Sequence, residues 1–126
     1  GITPSQQVNE SIDLAESVGL QLPVLWFDIE AYTDGSIPTK AEVAAAVVAC
    51  HARNIQPGIY TRRDIWAGIG NPSLTEVWLW VAAWNDDPTL EVEAFGGMAV
   101  MGHQYANHAD DGTPLDMNVF DRRATG

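Results

Sequence analysis

The sequence predicts a mixed α/β fold that starts as an alternation of helices and parallel strands and ends in strands with no helices between them. Three observations carry this reading. Residues 22–29 form a near-continuous apolar run closing on carboxylates, the pattern of a strand buried on both faces in a parallel sheet. Helical and strand-like periodicities alternate around it. Beyond residue 77 only strand-like runs recur.

The first element is a helix. Thr3 suits its N-cap, Pro4 its first position, and Gln6 completes a capping box. Val8, Ile12, Ala15 and Val18 recur at helical spacing, and Gly19 fits the position after the helix. The apolar strand 22–29 follows, then a loop carrying Asp34-Gly35. Thr39 and Glu42 form a second capping box, and the helix behind it carries Val43, Val47 and Cys50 on one face and stops near Asn54. Strand 58–60, a short helix or turn over 63–69, strands 77–83 and 100–105, and a short strand within 115–120 complete the order.

The 126 residues fit one domain, 1–126. They are too few for a complete (β/α)₈ barrel, which needs roughly 200 or more. An apolar share of 46% and five Trp argue against disorder. Seventeen acidic against six basic residues give a net charge of −11, which argues against nucleic acid or an anionic membrane face as partner. No apolar run approaches the ~20 residues of a membrane span. Cys50 is the only cysteine, so no internal disulfide forms, and its place on an apolar stripe makes it a buried thiol.

The strongest chemical signal is Asp28-Ile29-Glu30. Residues two apart on a strand point to the same side, so two carboxylates emerge together where parallel sheets place their sites. So close a pair cannot ionise independently; one group can act as an acid while the other stays charged. The same tripeptide also suits a strand entering solvent. Trp78, Trp80 and Trp84 share a side; the first two read as core, and Trp84, beside Asn85-Asp86-Asp87-Pro88, reads as the wall of a cleft able to stack on a sugar face. Gln104-Tyr105 ends one strand, and Asp116 and Asn118 share a side of the last. His51 reads as a solvent-facing residue and His103 as a packed one, and the three histidines lack metal-ligand spacing. No phosphate loop or nucleophile elbow occurs.

These segments come in a familiar order. Asp28-Ile29-Glu30, Pro57-Gly58-Ile59-Tyr60-Thr61, Leu79-Trp80-Val81-Ala82-Ala83-Trp84, Gln104-Tyr105 and Leu115-Asp116-Met117-Asn118-Val119-Phe120 together resemble glycoside hydrolase family 25, the lysozyme-like muramidases, over nearly the whole chain. The resemblance implies an irregular (β/α) barrel that cleaves the β-1,4 bond between N-acetylmuramic acid and N-acetylglucosamine in peptidoglycan, at the cell wall, extracellular or phage-associated. It implies Glu30 as proton donor, with a pKa raised by burial and by Asp28. Asp28 would support the substrate's own 2-acetamido group as it attacks the anomeric carbon. Asp116, Tyr60, Trp84, Gln104 and Tyr105 would line the cleft. No cofactor or metal is implied, and the partner is the glycan strand.

The family's first-strand Asp has no counterpart here, Trp84 stands where Tyr is common, and His103 stands where a Trp usually precedes the Gln-Tyr pair. The chain opens at Gly1, so the expectation is the C-terminal portion of a barrel whose other strands come from a longer protein or another chain. The competing expectations are a glycan-binding or structural remnant of that fold, such as a virion component, and an unrelated α/β domain.

Overall fold

The computed structural model describes residues 4–20, 23–109 and 111–124. The elements are α1 (Pro4–Ser17), β1 (Val24–Asp28), α2 (Lys40–Ala52), β2 (Gln56–Thr61), α3 (Arg63–Ile69), β3 (Trp78–Ala82), β4 (Ala99–Ala106) and β5 (Met117–Phe120), with one 3-10 turn at Arg122–Ala124. The expected cap at Thr3 and the strand start at Leu22 lie outside the described residues. The five strands form one sheet in the order β1-β2-β3-β4-β5; the first three pairings are parallel and the last is antiparallel. The mixed α/β class read from the sequence therefore holds, including the helix-free passage from β3 to β5.

Local signals place the elements. Thr39 Oγ1 accepts from the Glu42 N–H at 3.1 Å and Glu42 Oε1 accepts from the Thr39 N–H at 3.0 Å, so the second capping box forms as expected. Asn54 takes a left-handed conformation, φ 57°, which ends the passage out of α2. Val18 departs from the expectation. Its spacing suggested the buried stripe of α1, but the helix stops at Ser17 and Val18 is 66% exposed.

The two faces of the sheet differ. On one, Ile59, Leu79 and Val81 pack with Val43, Val47, Trp66, Phe95 and Met98 in the main core. A second cluster joins Val8 and Ile12 of α1 to Ala46 and Cys50 of α2, with Leu25 and Phe27 of β1 against it. Cys50 is fully buried, and that burial pushes its thiol up to about 11. The other face is aromatic. Trp26 meets Trp80 edge-on at 5.9 Å, and Phe120 meets Trp80 at 4.9 Å. Two glycines make room: a Cβ on Gly58 would lie 2.4 Å from the Trp26 ring, and one on Gly102 would lie 2.5 Å from Phe120. Trp78 and Trp80, expected in the core, are half-buried on β3 instead. Trp80 belongs to this aromatic layer, where its Nε1–H donates to Asn118 Oδ1 at 2.9 Å.

Among the described residues β1 and β5 hold the outermost positions of the sheet. The Ile29 N–H bonds Tyr60 and the Pro23 carbonyl accepts from Gln56. Alternation along a parallel strand then turns the N–H and C=O groups of Val24, Trp26 and Asp28 away from β2. A groove of about 660 Å³ runs there, lined by Val8, Leu25, Phe27, Val43, Tyr32 and Asp28 among others.

Candidate active site

Four parallel strands finish at one end of the sheet, and antiparallel β5 begins there. That reversal brings Asp116, just before β5, to the end where Asp28 leaves β1. In register, Asp28 lies beside Tyr60, and Gln104 lies beside Asn118. The charges of Glu30, Asp28 and Asp116 all raise the pKa of Tyr60, after burial as the larger cause. All three carboxylates thus act on one phenol.

The Asp28 carboxyl is pushed up to about 6, first by burial, then by the charge of Glu30 and by a hydrogen bond with it. The residue keeps an exposed surface, so Asp28 is crowded but wet. Asp28 lies at the end of β1, and Glu30 stands two residues beyond in exposed chain. The backbone between the two is fixed from both sides. The Ile29 N–H donates to the Tyr60 carbonyl at 2.9 Å, and the Thr61 hydroxyl donates to the Ile29 carbonyl at 2.7 Å. Thr61 is fully buried.

Gln104 gathers the opposite wall. Its Oε1 accepts from the Tyr60 hydroxyl at 3.1 Å and from Trp84 Nε1–H at 2.7 Å. Trp84 is 53% exposed, so its ring is tethered at one edge and open to solvent elsewhere. Tyr105 faces away from this group. Side chains alternate along β4, so Tyr105 shares a side with His103, whose ring lies 6.2 Å from it. The structure thus brings together Asp28, Glu30, Asp116, Tyr60, Gln104 and Trp84, and sets Tyr105 apart.

Thr61 and His103 are positional residues that the sequence reading left without a role. His103 is fully buried, with Nδ1 2.8 Å from the Thr89 carbonyl and Nε2 2.7 Å from the Ala83 carbonyl. His51 lies in solvent as expected, 3.7 Å from Glu76. Among the described residues no cluster of three or more His, Cys, Asp or Glu side chains could hold a metal ion.

The arrangement can hold one proton between two carboxyls beside a phenol, an amide and an exposed indole. Compared with known proteins, the chain matches no family model, no curated protein and no solved structure.

Proposed function

We propose that this site cleaves a β-1,4-linked N-acetylated glycan, the bond between N-acetylmuramic acid and N-acetylglucosamine of peptidoglycan, and that the protein works at the cell wall in an extracellular or phage-borne setting. The observation that carries the proposal is the hydrogen-bonded Asp28–Glu30 pair at the end of a parallel sheet, with the open Trp84 ring tethered to Gln104 at the same end. Glycoside cleavage needs one carboxyl to protonate the leaving oxygen and another to stabilise the charge that develops at the sugar. The proton shared by the pair passes to Glu30, which stands beyond the strand end in exposed chain, and Glu30 delivers it to the glycosidic oxygen as the C–O bond breaks. The substrate's acetamido oxygen forms the new bond to the anomeric carbon, and ionised Asp28 accepts the acetamido N–H. Water then opens that intermediate and returns the proton to Glu30. Trp84 stacks on a sugar ring, and Tyr60, Gln104 and Asp116 orient its hydroxyls.

The sequence resemblance supports this reading, and with it the architecture of an irregular (β/α) barrel. In that architecture further strands pair with the outward groups of Val24, Trp26 and Asp28, supplied by a longer chain or another molecule.

Purified peptidoglycan incubated with the full native protein tests the proposal. Wild type should release reducing ends, and Glu30→Gln should lose about 10²–10⁴ in rate while keeping its fold. A Glu30→Gln variant as fast as wild type overturns the assignment. Glycan binding that depends on Trp84, with no turnover by wild type, would instead favour a glycan-binding remnant.

A further inference from the structure

His103 is a buried titratable side chain that the proposed chemistry does not use, and its surroundings are unusual. Both ring nitrogens face carbonyl oxygens, Thr89 at 2.8 Å from Nδ1 and Ala83 at 2.7 Å from Nε2. A carbonyl oxygen only accepts. A neutral imidazole carries one N–H and one lone pair, so it can satisfy one of these contacts and must point a lone pair at the other oxygen. The ring is fully buried, so water does not relieve that opposition.

We propose that His103 is held as an imidazolium, donating from both nitrogens, and that in this form it clamps residues 83–89 to β4 and so fixes Trp84 over the site. The segment it clamps is the one that carries the indole. Within it, the Ala83 N–H donates to the Gln104 carbonyl at 3.1 Å and the Asp86 N–H to the Tyr105 carbonyl at 2.9 Å. The ring's two bonds close the loop on the other side of the sheet, at Ala83 and Thr89. Trp84 lies directly after Ala83, and its own tether to Gln104 reaches a residue adjacent to His103. When the ring loses one proton, one of the two bonds fails and the segment is held by one end fewer.

The two carbonyls are what support the charge, against the cost of burying it. Its neighbours in register on β3 and β5 are Val81 and Val119, which do not titrate. On its own strand Tyr105 lies edge-on at 6.2 Å. The segment whose carbonyls it meets also carries Asp86 and Asp87, within a chain of net charge −11. Among the described residues His103 joins no ion pair, so the two carbonyls are its partners.

Nitrogen-15 NMR of the histidine rings in the full chain, followed between about pH 5 and 8, tests this. The Trp84 indole N–H is followed in the same spectra and assigned with Trp84→Phe. The titration is run in an Asp28→Asn background, because the Asp28 carboxyl is pushed up to about 6 and its charge acts on Tyr60, which bonds Gln104. Both His103 nitrogens should be protonated at the acid end, and the Trp84 signal should move with the midpoint at which His103 loses its proton. In His103→Gln, which does not titrate, that movement should vanish; if this variant does not fold, the titration of the His103 ring decides alone. A lone-pair nitrogen on His103 throughout the range overturns the proposal. So does a Trp84 signal that ignores His103, or that follows His108, which lies 3.8 Å from Asp86. None of these readouts requires a glycan, so they stand or fall apart from the proposed activity.

Discussion

Asp28 ties the chemistry of the site to the stability of the protein. Burial and Glu30 push its carboxyl up to about 6 in the folded chain, above the ordinary value of 3.8. The folded state therefore holds a proton between about pH 4 and 6 that the unfolded chain has released, and stability falls as pH rises through that window. Above it the loss is complete. Asp28→Asn should flatten this slope and raise the unfolding midpoint at pH 7, by about 1 kcal/mol once the exposure of the group is allowed for. Urea titrations of both proteins across the window check it; parallel slopes would count against the assigned pKa. Thr61→Val keeps the shape but removes the hydroxyl bonded to the Ile29 carbonyl. It should cost about 1 kcal/mol, a figure urea unfolding can check. Turnover should fall as well, because the chain between the two carboxyls loses a tether. At this scale the sequence showed the carboxylates, because a period of two needs only a strand. It did not show Thr61 or His103 at work, because their partners lie 32 and 14 to 20 positions away and depend on register.

Elements were legible where the signals were local. The Thr39–Glu42 box and the left-handed Asn54 are written within a few residues of the helix they bound. The short helix α3 begins and ends where its pattern suggested. The short last strand lies within residues 115–120 as expected; Leu115 is 54% exposed and pairing with β4 starts at Met117. The aromatic face was misread, because core and cleft aromatics look alike in a sequence. The difference lies across the sheet, where Gly58 and Gly102 give Trp26 and Phe120 places to lie flat. Gly58→Ala should force the Trp26 ring off its seat and cost about 1–3 kcal/mol, read from thermal or urea unfolding. A loss below a few tenths would mean that the ring moves aside freely. Removing the box with Thr39→Ala should cost about 1 kcal/mol by the same measurement.

At the scale of the whole molecule, two features oppose each other. The outward groups of β1 and the groove beside them invite another strand. The net charge of −11 repels a second copy of the chain. Self-association should therefore grow with ionic strength as repulsion is screened, with sedimentation velocity at low and high salt as the measurement. Association that weakens with salt would point to ion pairing in place of edge pairing. The sheet's order has a consequence of a different kind. Every strand lies beside the one that precedes it in the chain, so no strand waits for a distant partner. Each parallel pairing closes over 20 to 32 positions, far less than the length of the chain. During synthesis from the N-terminus, β2 can dock on β1 before β3 has left the ribosome, and so on to β5. The carboxylate pair on the first strand is thus made early, and the site is finished only when the last strand turns back to deliver Asp116. A nascent chain halted before β5 would hold an ordered sheet and an incomplete site.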